Sequence, residues 1–122
     1  MKKIDVGNLD SFQSPESRGW FLGQFIDPSS PFHSDAFEVK WSTHPLGDTK
    51  PRPEGGPTKT ITFLVDGEFK VTFPESNETY TLSKPGDYVY FGEDILHTWE
   101  SLKEGTRMLT IRWPSIPPPA KA

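Results

Sequence analysis

The stretch "PGDYVYFGEDILHTW", Pro85 to Trp99, decides how this chain is read. A Pro-Gly-Asp turn leads into the apolar run Tyr88-Val89-Tyr90-Phe91. A second turn carries Gly92 and Asp94, and a single histidine, His97, follows among apolar neighbours. Pro, Gly and Asp mark turns because each tolerates or presets a turn conformation, and aromatic and β-branched residues between such turns mark strands. The same rhythm extends in both directions. "KTITFLV" (59–65), "EFKVTF" (68–73), "ETYTLSK" (78–84), "DYVYF" (87–91), "ILHTWES" (95–101) and "RMLTIRW" (107–113) all read as strands. Asp66-Gly67 between the first two predicts a β-hairpin, because both central positions can take positive φ. Upstream, "GWFLGQFI" (19–26) and "AFEVKWSTH" (36–44) complete about eight strands, with "DPSSPFHSD" (27–35) and "PLGDTKPRPEGGP" (45–57) as loops. No window holds a helical repeat of apolar residues. Many short strands at even spacing predict an all-β sandwich or barrel.

Composition bounds what such a barrel can do. With 122 residues the chain is sized for one domain, with the barrel core over 36–113, an N-terminal strand and loops over 1–35, and a Pro-rich tail over 114–122. Nine Phe, four Trp and three Tyr supply large rings for a small core. The absence of cysteine excludes disulfides, thiolate metal ligands and a cysteine nucleophile, and fits a reducing compartment. A net charge of −4 with scattered basic residues argues against nucleic acid as partner. No apolar run approaches membrane-spanning length, and no secretory signal follows Lys2-Lys3, so the expected location is the cytoplasm.

The spacing resembles the cupins, small jelly-roll β-barrels. Their second motif, Gly-x5-Pro-x-Gly-x2-His-x3-Asn, is matched in frame by Gly86, Gly92, Asp94, His97 and Ser101. Their first motif, Gly-x5-His-x-His-x4-Glu-x6-Gly, is matched in frame by Gly47, Pro53, Gly55, Thr60 and Gly67. The frame survives while the three ligand positions of the first motif hold Pro, Gly and Thr, none of which replaces an imidazole or carboxylate on a divalent metal. The run "LTIRWPS" (109–115), with "VKWSTHPLGD" (39–48), looks like a group of small single-domain bacterial cupins without an established activity. The resemblance implies a jelly roll with little helix and a homodimer, which the aromatic "GWFLGQFI" also suits, while the substituted ligand positions imply no metal and no other cofactor.

On the family's pattern His97 faces the barrel interior, and strand alternation then brings Trp99 and Ser101 to the same face. Thr60 and Thr62 point inward with Leu64. Trp99 is placed to stack on a ring or sugar, and Arg112 to anchor a carboxylate or phosphate. His44 and Arg52 flank the loop expected over the barrel mouth. The direction of His44 is left open, because Phe37, Val39 and Trp41 occupy the opposite face of its strand. The leading expectation is a small organic ligand, anionic or carbohydrate-like, bound around His97 and Trp99. The alternative is a metal-independent sugar isomerase or epimerase with His97 as catalytic base and Tyr80, Tyr88 or Tyr90 as acid, and a metal-dependent dioxygenase stands third. Against all of these, His97 can be a packed ring satisfied by a neighbouring hydroxyl.

Overall fold

The computed structural model describes residues 4–12 and 17–116. Its described residues form nine strands and one 3-10 turn, Leu9–Phe12. In chain order the strands are β1 (Trp20–Leu22), β2 (Glu38–His44), β3 (Thr49–Glu54), β4 (Lys59–Asp66), β5 (Phe69–Phe73), β6 (Glu78–Leu82), β7 (Tyr88–Phe91), β8 (His97–Ser101) and β9 (Thr106–Trp113). They pair antiparallel in two sheets, of order β1-β2-β9-β4-β7 and β3-β8-β5-β6, which face each other as a barrel. No helix among the described residues is long and apolar enough to cross a membrane. Residues 117–122 of the Pro-rich tail lie outside the described residues.

The alternating strands bury the sides that the sequence assigns to the interior. Thr60, Thr62 and Leu64 of β4 are buried, and so are Phe69, Val71 and Phe73 of β5. The dry core gathers where β4, β5, β6 and β9 meet, from Leu64, Phe69, Val71, Phe73, Leu82 and Met108. Burying one such side chain stabilises by about 1.5–3 kcal/mol.

Three expectations are corrected. First, Asp66-Gly67 does not close a hairpin: β4 pairs with β7 and β9, while β5 pairs with β6 and β8. The turn carries the chain from one sheet to the other. Gly67 has φ +101°, and a Cβ there would fall 2.4 Å from the Thr106 hydroxyl oxygen, so the corner needs glycine for conformation and for space. Positive φ is common to hairpin turns and to corners, which is why the dipeptide misleads. Second, the 45–57 loop contains β3. Pro51 and Pro53 lack the N–H of an inner strand, and β3 is the edge of its sheet, with its register broken between Lys50 and Glu54. Third, "GWFLGQFI" forms a strand only over Trp20–Leu22, with an isolated bridge from Gly23 to His33.

The odd residues of β2 face outward. Val39 and Trp41 sit opposite Ile111 and Leu109 on the outer side of the five-stranded sheet. The 3-10 turn lies along this side, where Asp10 accepts a hydrogen bond from Trp41 Nε1 at 2.9 Å and pairs with Arg107 at 3.7 Å. The even residues Glu38, Lys40, Ser42 and His44 therefore point into the barrel.

Candidate functional site

Between the sheets, bordered by Phe69, Val71 and Met108 of the dry core, is a cavity of about 180 Å³. β2 contributes Lys40, Ser42 and His44; β4 contributes Thr60 and Thr62; β8 contributes His97 and Trp99; and β9 contributes Thr110 and Arg112. Of the candidate residues, His44, Thr60, Thr62, His97, Trp99 and Arg112 thus line one cavity. Two predicted residues do not join them. Arg52 is exposed on the edge strand β3 and lies outside the cavity lining, between Lys50 and Glu54, which do line it, where the register with β8 is broken. Ser101 is fully buried below the cavity, its hydroxyl donating to the Lys103 carbonyl at 2.9 Å, where it fastens a turn.

His97 packs its ring against Phe91, with centroids 4.3 Å apart. Its Nδ1 bonds the Ile95 carbonyl at 3.2 Å, which makes Nδ1 the N–H donor and leaves Nε2 as the free acceptor. Burial pushes the imidazole below its ordinary pKa, with the Ile95 carbonyl opposing and the cations Lys50 and Arg112 adding to the shift. A neutral ring with Nε2 available can accept a proton or a hydrogen bond. The tyrosine acids expected beside it are elsewhere: Tyr80, Tyr88 and Tyr90 are exposed, and none lines this cavity. Tyr88 and Tyr90 stand opposite Phe63 and Ile61 on the outer side of the sheet, and Tyr80 donates to Glu78.

Arg112 does not meet Glu100, which pairs instead with Lys70 on the outside at 3.2 Å. Its Nε donates to Glu38 Oε1 at 2.6 Å, and a second guanidinium nitrogen pairs with the same carboxylate. Ser115 donates to the other Glu38 oxygen at 2.8 Å. The guanidinium plane lies 4.1 Å from the Trp20 ring centroid, so the fork is held from two sides.

Lys40 is the residue that sequence reading missed. It stands between Glu38 and Ser42 on the inner side of β2, with Nζ 5.5 Å above the Trp20 ring. No carboxylate among the described residues lies within ion-pair distance of it. Burial lowers its pKa to about 8, helped by repulsion from Arg112, Arg18 and Lys50 and opposed by Asp48. The signal was present in the sequence: Lys40 has the parity of His44, and assigning the interior to that parity would have found it.

The residues do not fit the metal that cupins commonly hold. No group of three or more His, Asp or Glu among the described residues could hold an ion. Both ring nitrogens of His44 are taken by protein partners, Asp48 and Ser42, and the position in line with Thr60 offers only a hydroxyl.

No family model matches the chain, and no curated protein does. Solved structures do match. KdgF from Halomonas sp. is 20% identical with a TM-score of 0.60, over 67% of this chain and 72% of that one. A cupin superfamily protein from Desulfitobacterium hafniense is 21% identical with a TM-score of 0.58, over 66% of this chain and 69% of that one. The chain has the cupin fold. The DMSP lyase DddQ from Ruegeria pomeroyi shares it at 22% identity and a TM-score of 0.63, over 76% of this chain but only 46% of the lyase. At such identities the likeness transfers the jelly roll and leaves the chemistry to the residues inside this cupin barrel.

Proposed function

We propose that this cupin barrel binds a small organic anion in the cavity between its sheets. The observation that carries the reading is the Lys40 ammonium, half-buried on the inner face over the cavity and without a carboxylate partner among the described residues. A buried unpaired cation is costly, and an anion entering beside it removes that cost. Arg112 adds a second positive group, although Glu38 already balances part of its charge. Trp99 and Phe69, stacked at 5.2 Å, give an apolar wall for the carbon part of the ligand, and Thr60, Thr62 and Thr110 offer hydroxyls. The cavity is smaller than the about 300–1,000 Å³ usual for drug-sized ligands, so the ligand is a compact one.

The test is thermal unfolding of the full chain with acetate, succinate, glycolate, phosphate and neutral sugars at matched ionic strength. One or more anions raise the melting temperature in a saturable way, and Lys40→Met abolishes the response. Equal stabilisation by neutral sugars, or an anion response that survives Lys40→Met, overturns the reading.

A further inference from the structure

Three side chains at the cavity form a chain of hydrogen bonds that anion binding does not require. Ser42 and His44 are two residues apart on the inner side of β2; both line the cavity and are 6% and 7% exposed. The Ser42 hydroxyl donates to His44 Nε2 across 2.9 Å. On the other side of the ring, His44 Nδ1–H donates to Asp48 Oδ2 across 2.8 Å. Asp48 lies just beyond β2 in a turn whose backbone is tied at both ends, from its N–H to the Pro45 carbonyl at 3.1 Å and from its carbonyl to the Ser101 N–H at 2.8 Å. The rings of Trp99 and Phe69, with centroids 4.7 and 5.5 Å from that of His44, hold the imidazole in this orientation. Hydroxyl, imidazole and carboxylate in this order are the arrangement that makes a serine nucleophilic on unrelated folds.

We propose that Ser42 is a nucleophile toward a small ester carrying negative charge, with His44 as its general base and Asp48 as the residue that positions His44. The charge requirement rests on the anion reading above; the nucleophile does not. Ser42 Oγ forms a bond to the ester carbonyl carbon while its proton passes to His44 Nε2. The carbonyl electron pair moves onto oxygen, facing the Lys40 ammonium, the next inward residue on β2. As the pair returns, the bond to the alkoxy oxygen breaks and His44 gives its proton to that leaving group. Water then repeats the sequence on the acyl-serine, releasing the acid and restoring Ser42.

The charges around the relay suit this use. Burial holds His44 below its ordinary pKa despite the Asp48 carboxylate, so the ring is neutral at pH 7 and open to a proton at Nε2. Lys40 stays mainly protonated below about pH 8. The groups that bear on these two are Asp48 and Lys40 for His44, and Arg112, Arg18, Lys50 and Asp48 for Lys40.

The test uses the full chain with methanesulfonyl fluoride, read by intact mass and peptide mapping, and with 4-nitrophenyl acetate for turnover. One sulfonyl group is expected on Ser42, and none in Ser42→Ala. The modification rate falls by about 100-fold in His44→Gln and by a smaller factor in Asp48→Asn. Asp48 is 39% exposed, so Asp48→Asn is the variant expected to fold if His44→Gln does not. Because Asp48 raises the His44 pKa, the acid limb of the rate profile moves to lower pH in Asp48→Asn, a shift that a purely structural network would not produce. An unmodified Ser42 in folded protein, or modification at an unchanged rate in both relay variants, overturns the proposal. Anion stabilisation measured on the same samples separates the two readings: anions that bind while Ser42 stays inert leave the binding function and remove only the nucleophile.

Discussion

The two inner faces of the barrel differ in kind. The four-stranded sheet presents mainly Phe69, Val71, Phe73, Leu82 and Trp99, with Lys50, Glu54 and His97 as its polar side chains on the cavity. The five-stranded sheet presents Lys40, Ser42, His44, Thr60, Thr62 and Arg112 over the same cavity, with Leu64 and Met108 completing the dry core. One wall is mostly rings and aliphatics, and the other carries most of the hydroxyls and charge. A barrel packed on both walls would be more stable and would bind nothing polar. Rings and charge are thus weighted to opposite sheets, so substitutions at Phe69 and at Lys40 should change stability with opposite sign.

The largest effect belongs to the apolar wall. Phe69→Ala removes a ring that is 4% exposed and stacked on Trp99. A loss of about 3–5 kcal/mol is expected in urea unfolding. A loss below 1 kcal/mol would mean that this wall is not where the fold is secured. The polar wall should answer in the other direction. Lys40→Met keeps the chain length, removes a half-buried unpaired charge, and is expected to gain about 1 kcal/mol at pH 7. Destabilisation by this substitution would break the comparison.

The pH dependence sharpens the same contrast. The Lys40 pKa is about 8 in the fold against 10.5 unfolded. Between those values the unfolded chain binds more protons, so this group makes stability rise with pH from about 8 to 10.5. The burial cost is fully present below pH 8. Denaturant midpoints across that window should climb in the wild type relative to Lys40→Met, and parallel curves would remove Lys40 from the account. For His44 and His97, lowered by burial, the unfolded state takes up protons first as pH falls below about 6.5. Stability should therefore drop below that pH, and less steeply in His97→Gln. The smallest effect lies outside the barrel. Lys70→Ala breaks an exposed pair with Glu100 and should change stability by no more than about 1 kcal/mol.

Most strands were legible because inward residues alternate with outward ones, and once the cupin motif placed Thr60 inside, the same alternation put Thr62 and Leu64 there, where all three are buried. β2 resisted the same logic. Val39 and Trp41 are its apolar residues and suggest the core, yet they face outward to neighbours and to the N-terminal 3-10 turn, while Lys40, Ser42 and His44 line the cavity. Where both faces of a strand are covered, apolarity no longer says which one is inside. That ambiguity hid Lys40 and left the direction of His44 open.

By itself the sequence determined the strand rhythm, because that depends on local conformational preference and on the two-residue repeat of a strand, while the jelly-roll frame and the inward direction of His97 came from the spacing shared with the cupin motifs. It also showed that Pro53, Gly55 and Thr60 stand where metal ligands would be. Tertiary structure alone decided that Asp66-Gly67 crosses between sheets, that β3 pairs with β8 despite two prolines, and that Asp48 reaches back to His44. Those outcomes depend on which distant strands compete for the same edge and on how a closed barrel turns a strand's two faces, and neither is encoded within any short window of the chain.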